Sequence, residues 1–99
     1  GLKVAPRAVE AVLLDLPEIA EAIVLGVPDA EWGQRVVAAV VLAPGATAPT
    51  LAGLRGQVAA RLGRAAAPRQ CLVLDSIPLL GPGKPDRTRL AALAADGGA

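Results

Sequence analysis

The chain has 99 residues, is 54% hydrophobic and carries a formal net charge of +1, which suits one small domain with a single core and excludes a general nucleic-acid binder. It has no histidine and one cysteine, Cys71, so a histidine-based triad, the common zinc sites and an intramolecular disulfide cannot be built from this chain alone. Phe, Tyr and Met are absent and Trp32 is the sole aromatic residue, leaving Leu, Val, Ile and Ala to form the core. No apolar run approaches the ~18 residues that span a bilayer, and no secretory signal opens the chain. Charge is unevenly placed. Glu10, Asp15, Glu18, Glu21, Asp29 and Glu31 lie in the first half, whereas Arg55, Arg61, Arg64, Arg69, Lys84, Arg87 and Arg89 lie in the second. Solvated helix faces account for this, and a modest positive field could also attract a phosphorylated ligand.

Pro6 suits the first turn of a helix, where its missing N–H costs nothing. Val9, Val12, Leu13 and Leu16 follow at helical spacing, and Pro17 stops the helix. Residues 19–27 are β-branched and apolar and predict a mostly buried strand. Pro28-Asp29-Ala30-Glu31 supplies turn chemistry, and a second strand runs from about Gln34 to Leu42, making a hairpin. Trp32, beside that turn, reads as a packing residue capping the sheet edge.

Residues 44–49 form a loop. Thr50 caps a second helix whose buried stripe is Leu51, Leu54, Val58 and Leu62, with Arg55 and Arg61 turned to water. Gly53 and Gly56 weaken that helix by roughly 1 kcal/mol each. A third strand over Gln70–Asp75 places Cys71 as a buried structural thiol. A proline-rich loop follows, and Asp86 caps a last short helix with Leu90 and Leu93 packed inward. Gly97-Gly98-Ala99 should fray. The fold class is α+β, a small sheet with a β-hairpin covered by three helices.

The loop Ile77-Pro78-Leu79-Leu80-Gly81-Pro82-Gly83-Lys84-Pro85-Asp86-Arg87 holds one of two lysines. A Walker-type loop needs Ser or Thr after the lysine to hold magnesium, and here Pro85 follows. A dinucleotide-binding fingerprint needs a third glycine and lacks it. What remains is a compact point charge on a stiff loop next to a helix start, suited to stabilising charge that builds on a phosphorus or carboxylate centre.

Several segments together resemble one family. Gly1-Leu2-Lys3-Val4-Ala5-Pro6-Arg7-Ala8-Val9-Glu10 is similar to the "G-x-K-V-x-P-x-x-V-E" opening of the C-terminal domain of adenylate-forming acyl-CoA synthetases. Residues 21–34 match its "E-A-x-V-x-G-V-P-D-x-x-W-G-Q" hairpin. Ala67-Pro68-Arg69, Ile77-Pro78 and Gly83-Lys84-Pro85-Asp86-Arg87 match its closing "P-R … L-P … G-K-x-D-R" series. The likeness runs in order from Gly1 to about Leu90. It departs in Pro82, where Asn, Ser or Thr is frequent, and in Pro85, where an aliphatic residue is usual.

The resemblance implies that residues 1–99 are the mobile C-terminal domain of a cytoplasmic, AMP-forming acid–thiol ligase. Its large N-terminal domain would bind ATP, Mg2+ and the carboxylic acid. Lys84 falls on the adenylation lysine, and Gly1, Leu2 and Lys3 fall where coenzyme A's pantetheine arm passes in the second pose. Asp86 and Arg87 would serve as helix cap and salt-bridge partner. The context of Pro78, Gly83 and Lys84 resembles an acceptor for a lysine acetyltransferase, whose product would neutralise the charge. The approach Ala65-Ala66-Ala67-Pro68-Arg69 is similar to that of o-succinylbenzoate–CoA ligases of menaquinone biosynthesis. Aryl- or fatty-acyl-CoA ligases and carrier-loading adenylation domains remain open, as does a non-catalytic ligand-binding or regulatory domain. The missing initiator methionine favours a piece of a larger enzyme, inactive by itself.

Overall fold

A computed structural model describes residues 4–97. Helix α1 spans Pro6–Leu14 with proline in its first turn. Strands β1 (Ile19–Asp29) and β2 (Gly33–Leu42) form an antiparallel hairpin, in register from Ile19 opposite Leu42 to Asp29 opposite Gly33, with an irregularity at Ala20. Helix α2 (Leu51–Leu62) and a 3-10 turn at Arg64–Ala66 lead to β3 (Gln70–Val73). Strand β3 pairs parallel with β2, giving the sheet order β1-β2-β3. The chain ends with a separate small hairpin, β4 (Leu79–Gly81) and β5 (Lys84–Pro85), and helix α3 (Arg87–Gly97).

The expected single core is two apolar layers, one on each face of the sheet. On one face α1 supplies Val9, Val12 and Leu13 and α2 supplies Leu54 and Val58, against Val24, Val36, Ala38 and Val40. On the other, Leu90 and Ala94 of α3 pack with Leu25, Val27, Val37, Ala39 and Ile77. Alternate side chains along a strand point to opposite faces, so the unbroken buried run Val36–Val40 feeds both layers at once. Alanines at 38 and 39 let the helices lie close without aromatic fillers.

Local chemistry explains the boundaries. The Thr50 Oγ1 accepts from the Gly53 N–H at 3.0 Å and caps α2. A Cβ at Gly53 would stand 3.1 Å from that oxygen, so this glycine gives the cap room. The Asp86 Oδ1 accepts from the Arg89 N–H at 3.0 Å and caps α3. Among the described residues, no helix is long and apolar enough to cross a membrane.

Two expectations for α2 change. Leu51 and Leu62 are 38% and 42% exposed, and only Leu54 and Val58 of the stripe are buried. Arg61 does reach solvent, where it pairs with Asp15 at 2.6 Å. Arg55 instead turns inward and donates to the Pro68 carbonyl at 2.9 Å. Leu54→Ala should therefore lower stability by about 2–5 kcal/mol. Leu51→Ala should cost less than about 1 kcal/mol. Urea unfolding of the two variants checks this; equal losses would restore the full stripe to the core.

Candidate active-site hairpin

The segment read as a loop is a β-hairpin. Leu79 lies opposite Pro85 and Gly81 opposite Lys84, with Pro82-Gly83 between them. Gly83 has φ +69°, a left-handed value that glycine adopts without strain, and proline followed by such a glycine is the residue order of a type II turn. Pro85 has no N–H to give the ladder. The next residue closes the base instead, as the Asp86 N–H donates to the Pro78 carbonyl at 2.8 Å.

Lys84 is exposed at the end of this hairpin, and among the described residues no carboxylate pairs with it. Its neighbours Leu79 and Leu80 are 56% and 66% exposed. An apolar groove of about 370 Å³ runs from Leu14 and Ala22 past Ile77 to Gly83 in the turn of the hairpin. Gly1, Leu2 and Lys3, the other expected site residues, lie outside the described residues.

Other side chains that matched the family pattern build the frame. The Val24 peptide, on the outer edge of β1, donates its N–H to Glu10 Oε2 at 2.8 Å and accepts from Arg87 Nη1 at 3.2 Å. Arg87 thus bonds a carbonyl where a salt bridge was expected, because the unpaired strand edge lies within its reach and needs a donor. Gln70 is 4% exposed. Its Oε1 accepts from Arg35 Nε at 3.2 Å and Nη2 at 3.1 Å, and its Nε2 donates to the Ala94 carbonyl at 2.9 Å. Arg35 continues to the Pro28 carbonyl and to Asp29. This ladder ties the β1–β2 turn, β3 and α3 together. A glutamine opening an apolar strand was the sequence signal for it.

Trp32 also departs from its reading. It is 55% exposed, with the Arg69 guanidinium 3.9 Å from its ring centroid, and so staples the β1–β2 turn to the approach to β3 through a cation–π contact, where a packing residue capping the sheet edge was expected. Cys71 is half-buried against the α1/α2 layer, and burial raises its thiol pKa above the ordinary value. No group of three or more Cys, Asp or Glu side chains suited to a metal occurs among the described residues.

The model of the AMP-binding enzyme C-terminal domain family matches residues 8–84. A medium/long-chain-fatty-acid–CoA ligase of Mycobacterium tuberculosis is 39% identical over 93% of this chain and 17% of its own length. A probable 2-succinylbenzoate–CoA ligase of the same species is 44% identical over 91% of this chain and 24% of its own. The crystal structure of a Brucella canis acyl-CoA synthetase superposes with a TM-score of 0.84 at 33% identity, covering 97% of this chain and 18% of that one. The chain belongs to the AMP-binding enzyme C-terminal domain family, with the α+β architecture of acyl-CoA synthetase C-terminal domains. It spans between about a sixth and a quarter of the length of these relatives.

The β1–β2 turn has its own electrostatic signature. The amides of Trp32 and Glu31 donate to Asp29 Oδ1 at 2.9 Å each, and with Arg35 they hold the Asp29 carboxyl below the usual carboxylate range. A lowered folded pKa contributes stability that is fully present above the unfolded value of about 3.9 and is lost as pH falls through the folded value. The stability gap between the parent and Asp29→Asn should stay constant near neutrality and narrow below about pH 4. Urea midpoints measured across that range check it; a gap that widens in acid would reverse the sign.

Proposed function

We propose that this chain is the mobile C-terminal domain of an AMP-forming acid–thiol ligase and that Lys84 is its adenylation lysine. The observation that carries this reading is the placement of Lys84. The ammonium stands exposed on a turn-closed hairpin, beside exposed leucines, in a domain whose relatives are several times longer. Such a cation becomes useful only when another domain brings a substrate to it.

In the reaction, a carboxylate oxygen attacks the α-phosphorus of ATP, giving an acyl-adenylate and releasing pyrophosphate. The thiol of coenzyme A then attacks the acyl carbon, forming the thioester and releasing AMP. Lys84 would bridge the carboxylate and nucleotide oxygens, offset charge on the α-phosphate and hold the two in attacking geometry. ATP and Mg2+ would be bound mainly by the N-terminal domain. For the second step Lys84 withdraws, and Gly1, Leu2 and Lys3 would line the path of the pantetheine arm.

The likeness to a probable 2-succinylbenzoate–CoA ligase supports o-succinylbenzoate, and hence menaquinone biosynthesis in the cytoplasm, as the specific reading. The fatty-acyl relative supports a fatty acid instead. Acid-dependent ATP–pyrophosphate exchange by the full-length enzyme across both acids decides between them. Acetylation of Lys84 by a lysine acetyltransferase would abolish the charge on which the first step relies; acetylated enzyme with undiminished exchange would rule that control out.

In the full-length enzyme, Lys84→Ala should lower adenylate formation about 10²- to 10³-fold. Thioester formation from presynthesised acyl-adenylate should persist. Equal loss of the two half-reactions would overturn the assignment.

A further inference from the structure

Val24 is wholly buried, yet its strand is at the edge of the sheet. Opposite Ala38, it turns its peptide groups away from β2, where no strand among the described residues receives them. A buried N–H or C=O left unpaired costs about 1–3 kcal/mol. Both groups are satisfied by charged side chains from different helices: Glu10 of α1 accepts the N–H, and Arg87 at the start of α3 donates to the carbonyl. Charge-assisted bonds of this kind are stronger than neutral ones.

The position of Arg87 gives the bond a second consequence. Lys84 lies three residues upstream, within about 10 Å along extended backbone. The hairpin that carries it pairs only with itself and exposes both leucines of β4. Beside the β4–β5 ladder and the buried Ile77 and Leu90 that flank it, three hydrogen bonds hold the segment from Pro78 to Arg89: the Asp86 N–H on the Pro78 carbonyl, the Asp86 cap on Arg89, and Arg87 on Val24. The first two are internal to the segment. Of the three, the Arg87–Val24 bond alone reaches the sheet.

We propose that Arg87 is a positioning residue for Lys84: by bonding the edge carbonyl of Val24, it sets the angle at which the hairpin presents the ammonium. This inference rests on the adenylation role of Lys84. A misplacement of about 1 Å at a reacting group can cost on the order of 10²-fold in rate. Glu10, on the N–H of the same peptide, holds β1's edge in place to receive the guanidinium.

The test compares half-reactions in the full-length ligase. Arg87→Ala should lower kcat for acid-dependent ATP–pyrophosphate exchange by about 10- to 100-fold, with little change in KM for ATP. Thioester formation from presynthesised acyl-adenylate should stay within about 3-fold, because Lys84 is withdrawn in that step. Arg87→Lys, which keeps one donor for the Val24 carbonyl, should restore most of the exchange. Should Arg87→Ala fail to fold, Arg87→Met, which keeps the length of the side chain without a donor, carries the same comparison. Equal slowing of both half-reactions, or unchanged exchange, overturns the inference. Lys84→Ala run in parallel separates the two claims. If it cripples exchange and Arg87→Ala does not, the positioning role alone falls. If Lys84→Ala spares exchange, the adenylation role falls and the positioning role with it.

Discussion

Strand β2 is buried on both faces along Val36–Val40, and the arrangement of every helix follows from that. A strand with one wet face would need one layer of cover. Here alternate residues require two, and α1 with α2 takes one side while α3 takes the other. The third strand must then run parallel to β2, since helix α2 carries the chain back across the sheet before β3 begins. The core lacks large aromatic side chains, so its cohesion comes from close contact of branched aliphatics and alanines at native packing density.

Among the described residues, the opposite edge of the sheet, β1, has no strand to pair against. The molecule answers with side chains in place of a strand, and Glu10 and Arg87 close the Val24 peptide from two directions. Ordinary edge strands are blunted by charge or proline to prevent pairing with other chains. Here the charges engage the edge backbone directly and connect α1 and α3 through it. Gln70 does the same service on the other side of β2, linking Arg35 to the carbonyl of Ala94. Helix α3 is thereby anchored near both its ends, and the Lys84 hairpin hangs from the N-terminal anchor.

The elements governed by local chemistry were legible in the sequence. Pro6 and Pro17 bracketed α1, Thr50 and Asp86 were read as caps, and the β1–β2 hairpin followed from two apolar runs around a polar turn. Non-local choices were not. The stripe of α2 predicts burial of Leu51 and Leu62, but the sheet is too narrow to cover both ends of the helix. Trp32 reads as a packing residue at the sheet edge; the Arg69 that stacks on it comes from a distant segment of the sequence. Arg87 seemed destined for a carboxylate because nothing in a sequence reveals an unpaired carbonyl across 63 residues. The family was legible through the ordered motifs around Lys84, whereas the placement of that lysine on a strand was not. The Pro82-Gly83 pair was the overlooked turn signal.

The two departures from the family pattern in this hairpin, Pro82 and Pro85, then acquire a physical sense. A two-stranded ribbon this short has little intrinsic stability. Proline at a compatible position stabilises by about 0.4–1 kcal/mol, mainly by removing conformations from the unfolded segment. Pro82 fits the first corner of a turn whose second corner is Gly83 at φ +69°. Pro85 falls on a strand with one partner, where its missing N–H leaves little unpaired, and Asp86 supplies the closing bond one residue later. Stiffening by proline reduces the ordering that would accompany contact of Lys84 with a substrate, one of the costs of binding through a flexible segment. The hairpin therefore has its shape fixed by the prolines and its direction by Arg87, two separable constraints acting on the same ammonium.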